Sequence, residues 1–197
     1  FDERPILENR AVRYACINCH AFANHDPSRF LLHLRSRLPG TLVLAGDRAE
    51  KVNTRTPQTM SAGVYPSWHP DGRHVAFSVN LITQTFSADQ RCPIEVCDNA
   101  SDLTVYDTVT RQVTTCPQIS TAARENLPTW SPDGRWLYYI SAPRAKDHAE
   151  AIAGMYSLVR IACDLEAGTW GEPDTLLSAG RTGRSYAFPS ISPYGRW

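Results

Sequence analysis

The sequence has no run approaching the roughly eighteen apolar residues that a helix needs to cross a bilayer. It also lacks charge of one sign. Twenty basic and twenty acidic residues cancel without forming blocks, which excludes a basic nucleic-acid face or an acidic interaction tail. No Gly-rich phosphate loop, Ser-His-Asp order or H-E-x-x-H segment is present, so the chemistries those motifs serve have no footing here. The opening "FDERPILENR" shows neither an initiator Met nor a signal-peptide pattern, and a processed or trimmed chain is expected. Aromatic residues, by contrast, are plentiful. Five Trp, eight Tyr and six Phe are spread along 197 residues that are 42% hydrophobic, enough to bury a sizeable core and to exclude disorder.

What the chain does contain is a repeat. "YPSWHPDGRHVAFSV" (65–79), "LPTWSPDGRWLYYI" (127–140) and "FPSISPYGRW" (188–197) share one pattern, with leading prolines at Pro66, Pro128 and Pro189. Self-similarity at a near-fixed period indicates an array of like units. In each unit "PDG" suits a type I turn closed by a residue tolerant of positive φ. The runs "HVAFSV" and "WLYYI" then have the β-branched and aromatic content of buried strands. A second hairpin follows in each unit, over 101–116 and 156–177. "GTLVLAGDRAEKVNT" (40–54) reads as the second hairpin of a preceding unit. Four strands per unit is the pattern of a propeller blade; a β-sandwich with similar turns is the alternative.

The W-S/H-P-D-G-R turn, with Pro upstream and an aromatic strand downstream, resembles the TolB-like β-propeller repeat. The resemblance implies an all-β fold over 40–197, with blades starting near 65, 127 and 188. About two and a half blades are visible, so further blades, or another chain, are expected to complete the propeller.

Ahead of the repeat stands "CINCH" (16–20). A C-x-x-C-H segment is the attachment pattern of a c-type haem: two thiols form thioethers to the porphyrin and the adjacent imidazole ligates iron. With six Cys and six His in 197 residues, chance would supply the motif in only about half a per cent of such chains. Zinc and a plain disulfide remain as alternatives. Zinc would need a fourth ligand, and Cys92 and Cys97 have the wrong spacing for a second pair. A thioredoxin-like redox pair lacks its βαβ setting.

The spacing predicts a helical segment over 1–39: Asp26 caps, Pro27 opens, and "SRFLLHLRSRL" continues with Phe30, Leu31, Leu34 and Leu38 as one apolar stripe. Beside that stripe His33 is the leading candidate for the second axial position opposite His20. Met60 and His25 are weaker candidates.

"CINCHAFANHDPSRFLLHLR", followed by "GVYPSWHPDGRHVAFSVN" and "SDLTVYD", resembles exported TolB-like propeller proteins that carry one C-x-N-C-H segment ahead of the blades. That resemblance implies a monohaem c-type cytochrome fused to a propeller: one covalent haem c on Cys16 and Cys19, with His20 as proximal ligand. It also implies a periplasmic or cell-surface location and a redox partner protein or complex. Two strong axial ligands would mean electron transfer. Iron left five-coordinate would instead suit an enzyme acting on peroxide or a small nitrogen compound, and the alpha subunit of hydrazine synthase offers a fold-level parallel. A third reading is a binding module for a protein or glycan, with haem or zinc only stapling its N-terminus.

Among the remaining residues, Trp68, Trp130 and Trp136 read as blade core rather than electron relays. One or two disulfides are expected among Cys92, Cys97, Cys116 and Cys163, with the pairing open. Asp71 and Asp133, like Asp98 and Asp102, read as turn residues. His69 and His74 flank the first turn, where the second repeat has Ser131 and Trp136. They are therefore optional for the fold.

Overall fold

A computed structural model describes residues 5–13, 16–35, 39–86, 88 and 94–195. It is built of antiparallel sheets. The first comprises β1 (Cys16–Phe22), β2 (Arg29–Arg35), β3 (Gly40–Ala45) and β4 (Arg48–Val52), in that order. The second holds β5 (Val64–Trp68), β6 (His74–Phe86), β7 (Ile94–Asp107) and β8 (Val113–Thr114). The third runs β9 (Arg124–Trp130), β10 (Trp136–Ala142), β11 (Ser157–Asp164) and β12 (Thr169–Trp170), with β13 (Asp174–Leu177) also on β11. Of two short helices, α1 (His148–Ala153) packs against β7 and α2 (Ala179–Thr182) against β11. Each sheet is a meander of neighbouring strands, the form of a propeller blade.

The helical segment expected at the N-terminus is replaced by strands. Asp26 accepts from the Ser28 N–H and hydroxyl at 2.8 and 2.7 Å, closing a turn rather than capping a helix. Beyond it "RFLLHLR" is β2, pairing with β1 on one side and β3 on the other. Phe30, Leu31, His33 and Leu34 are all buried. A central strand buries both faces, whereas a helix would bury only one stripe, so tertiary context overrides local propensity. Leu38 lies outside the described residues. The boundary between 39 and 40 falls at the β2–β3 connection, inside one sheet.

The turns follow their sequences. Gly72 and Gly134 take φ of 65° and 71°. Asp71 accepts from the Arg73 N–H at 2.7 Å, and Asp133 from the Arg135 N–H at 3.1 Å.

Apolar side chains pack between successive sheets. Ala23, Leu31, Val52, Trp68, Val75, Phe77 and Tyr106 join the first sheet to the second. Ala76, Leu103, Val105, Ile119, Trp130, Leu137, Tyr139, Val159 and Ile161 join the second to the third. Polar contacts repeat the same steps. The Trp68 indole N–H donates to the Ala21 carbonyl at 3.0 Å, the Trp130 N–H to the Ser67 hydroxyl at 3.3 Å, and the Thr129 hydroxyl to the Pro189 carbonyl at 2.8 Å.

Trp68 and Trp130 are thus core, while Trp136 is half-buried, with the Arg160 guanidinium 4.4 Å from its ring centroid. Cys97, Cys116 and Cys163 carry free thiols rather than the expected disulfides, and Cys92 lies outside the described residues. Cys116 and Cys163 pack against the second core as small apolar groups. Burial pushes the Cys163 thiol up to about 12, so it stays protonated and inert. Among the described residues no helix is long and apolar enough to cross a membrane.

Candidate functional site

The first strand of each sheet carries a β-bulge at one equivalent place. Register slips between Asn18 and Ala21 on β1, between Val64 and Ser67 on β5, and between Asn126 and Thr129 on β9. Inside each bulge one residue takes a left-handed backbone: Cys19 at φ 51°, Tyr65 at 50° and Leu127 at 55°, with Phe188 at 50° ahead of the next unit. The following residues are His20, Pro66, Pro128 and Pro189. "CINCH" is therefore the first blade's version of the segments that read "VYP", "NLP" and "AFP" later, with His20 in the proline's place.

These four dipeptides converge. Cys19, His20, Tyr65, Pro66, Leu127 and Pro189 are among the residues lining a funnel of about 240 Å³. A bulge re-aims its side chains away from the sheet alternation, which brings a strand segment and its counterparts to a common mouth. The motif thus sits on a bulged strand and not in the helical segment expected over 1–39. Cys16 is exposed at the start of β1, Cys19 is half-buried, His20 is exposed, and both thiols are free.

Behind the funnel lies a second cavity of about 400 Å³, lined by Asn18, Cys19, His33, Met60, Tyr65 and other residues. Cys19 and Tyr65 line both spaces. His33 faces Asn18 across the β1–β2 ladder. In the next sheet the equivalent residue is Ser78, opposite Val64, and its hydroxyl accepts from the Leu127 N–H at 3.0 Å. His33 has no such partner: it is 3% exposed, and its Nδ1 makes no hydrogen bond. The Asn18 Oδ1 beside it is likewise buried and unpaired. Burial, aided by the Arg35 charge, holds the His33 imidazole below its ordinary pKa. The neutral ring is therefore favoured, and its Nδ1 stands without a partner.

The structure accordingly groups Cys19, His33 and Met60 around one cavity and places His20 on the neighbouring funnel. His25 stands exposed in the turn after β1, with φ 62°, and does not line that cavity. Asn18 and Tyr65 were not singled out by motif reasoning. Only the alignment of "CINCH" with the later bulges exposes them.

The donor set discriminates between the groups the motif suggests. A closed zinc site needs its ligand atoms gathered around one point. Among the described residues, Cys16, Cys19 and His20 do not bring theirs within 4.8 Å of one another; His69, Asp71 and His74 do. Of the two free thiols that thioether attachment would use, Cys19 lines the cavity that His33 also lines, and Cys16 stands exposed at the start of β1.

No family model matches the sequence, and no curated protein is similar to it. Solved structures are similar in fold. TolB from Acinetobacter baumannii superposes with a TM-score of 0.59 at 16% identity, over 93% of this chain and 37% of that one. A protein of Agrobacterium tumefaciens described as TolB gives 0.57 at 18% identity, over 92% and 52%. The chain thus spans about half or less of the length of each. With its antiparallel sheets of four or five strands and repeated bulges, the chain has the fold of a partial TolB-like β-propeller.

Proposed function

We propose that the chain is an exported monohaem c-type cytochrome that transfers electrons. Cys16 and Cys19 would hold one haem c covalently, with His20 and His33 as the candidate axial ligands. The observation that carries this reading is the buried His33 ring, neutral and with Nδ1 unpartnered, on the cavity that Cys19 also lines. A buried polar atom without a partner costs about 1–3 kcal/mol, and coordination or a bound group would offset that cost. The haem would supply a one-electron couple. The protein's part is to exclude water from one side with the propeller wall and to orient the imidazoles. The remaining propeller surface would then receive a redox partner protein. Covalent haem attachment places the chain in the periplasm or at the cell surface.

A second reading is favoured by one feature: His20 and His33 open onto different spaces. If only one of them binds, the iron keeps an open position, and an activity on peroxide or a small nitrogen compound follows.

The test is an alkaline pyridine haemochrome spectrum of the chain produced with haem-attachment machinery, with zinc analysis of the same sample. A c-type α-band at one haem per chain, lost in C16A/C19A, supports the proposal. No haem, with zinc held through Cys16 and Cys19 instead, would overturn it. In the haem-loaded protein, His33→Leu then separates the two readings. Conversion from low spin to high spin indicates electron transfer with two imidazoles. A wild-type iron already high-spin and open to added ligands indicates the enzyme.

A further inference from the structure

A second cluster lies outside that site. The sequence "WHPDGRH" places His69, Asp71 and His74 around one turn between β5 and β6. Among the described residues it is the group that gathers three metal-ligating side chains within 4.8 Å of one another. Both imidazoles turn Nδ1 to the same carboxylate oxygen: Asp71 Oδ2 lies 3.0 Å from His69 Nδ1 and 2.6 Å from His74 Nδ1.

The outer nitrogens decide what this means. His69 Nε2 lies 3.0 Å from the Gly134 carbonyl in the next blade. A carbonyl only accepts, so Nε2 carries a proton, which leaves Nδ1 as the nitrogen able to offer a lone pair. That lone pair faces the Asp71 N–H at 3.2 Å and the anionic Oδ2 together. His74 Nε2 is directed at a second acceptor, 3.9 Å from Asp107 Oδ2. Metal-bound histidines characteristically turn their outer N–H to a carbonyl or a carboxylate. His69 has that arrangement here, and His74 Nε2 faces the Asp107 carboxylate across 3.9 Å.

The histidines are surplus to folding. In the third sheet the same turn closes with Ser131, whose hydroxyl donates to Asp133 at 2.5 Å and accepts from the Trp136 N–H at 3.0 Å. The approach of His69 to the next blade depends on a glycine: a Cβ on Gly134 would stand 2.4 Å from His69 Nε2.

We propose that His69, Asp71 and His74 bind one divalent transition-metal ion of the zinc class. Two imidazoles and a carboxylate select zinc or a neighbouring first-row metal over calcium and magnesium, which prefer all-oxygen shells. His69 and His74 are largely buried, at 14% and 15% side-chain exposure. His69 and Asp71 also line a cleft of about 770 Å³ with Asp133, Trp136, Cys163 and Trp170. Three protein ligands beside a cleft leave the metal a position for water or a small anion. The site is independent of the haem reading and stands or falls separately.

The experiment is a zinc chloride titration by calorimetry on the full chain carrying C16S/C19S, which removes the other thiol ligands, with and without His69→Ser or His74→Gln. Serine at 69 copies the working turn of the third sheet, so H69S is expected to keep the fold, with its metal-free melting temperature reporting the lost His69–Gly134 contact. The parent should bind one zinc per chain and melt higher with it; each histidine variant should weaken binding about ten-fold or more. Nitrogen NMR of the parent adds a readout that needs no histidine substitution: zinc should shift two imidazole Nδ1 resonances. No zinc uptake by the parent, or uptake unchanged in the histidine variants, overturns the proposal.

Discussion

Cys19 stands on the first strand in the backbone conformation that Tyr65 adopts on the next: φ is 51° for one and 50° for the other. Neither is glycine, and each lies inside a β-bulge ahead of a residue aimed at the same funnel. A haem-type motif has thus been written onto a structural position of the repeat. His20 takes the place of Pro66 and Pro128, and a bulged strand, not a helix, carries the two thiols, with Cys19 inside the bulge.

This equivalence predicts that His20→Pro leaves the fold intact. Proline is tolerated at bulges, where the ladder is already interrupted, and the later blades place it after the same left-handed residue. The melting temperature should change by no more than a few degrees, read by circular dichroism on the chain without haem. In the haem-loaded protein, the same variant should lose any absorption signature of His20 ligation. A collapse of the fold would mean that the His20 N–H is needed in the first sheet.

The Arg73–Asp107 pair predicts an acid-dependent loss of stability. The guanidinium donates from Nε at 2.9 Å and from Nη2 at 2.5 Å, and holds the Asp107 carboxyl well below the usual carboxylate range. The Val109 N–H and the Thr110 hydroxyl, each at 2.8 Å, act in the same direction. A carboxyl depressed by folding contributes stability above its unfolded value of about 3.9, and that contribution is lost as pH falls toward the folded value. Asp107→Asn should therefore cost about 1–2 kcal/mol at neutral pH, largely through the charge-assisted bonds from Arg73 that the neutral amide weakens. Denaturant titrations from pH 7 to 3 should show the gap between wild type and variant narrowing. A gap that widens with acid would contradict this assignment.

Gly63 makes a packing prediction. A Cβ there would stand 2.6 Å from Cγ of Phe77, a ring with no exposure in the core between the first two sheets. Gly63→Ala must push that ring or shift the backbone, at about 1–3 kcal/mol for an overpacked site. Chemical denaturation should show a lower midpoint with an unchanged slope. An unaltered midpoint would mean that the core yields at this point without strain.

The fold was legible where the chain repeats itself. Pro66 and Pro128, the PDG turns and the strands behind them each had a second copy, and a turn that recurs with the same residues identifies a unit without outside help. The first blade escaped the same reading because its signature residues differ. Phe22 stands at the position of Trp68, Asp26-Pro27 reverses the later Pro-Asp order, and His20 replaces the proline. Read locally, Asp26, Pro27 and "RFLLHL" satisfy the rules for a helix start as well as those for a strand. The choice was made by neighbours the sequence does not display: β1 and β3 offer hydrogen bonds on both edges of β2, and the second sheet packs against its Leu31.

The candidate residues divide in the same way. Residue type alone marked Cys16, Cys19 and His20 as a tether and His33 as an imidazole worth watching, because thiol and imidazole chemistry is local to the side chain. Whether His33 is buried, neutral and beside Cys19, and whether His69 and His74 share one carboxylate oxygen, depends on strand register and on the distance between blades. Those are properties of the packed sheets, since residues far apart in sequence meet only where apolar burial brings their strands together.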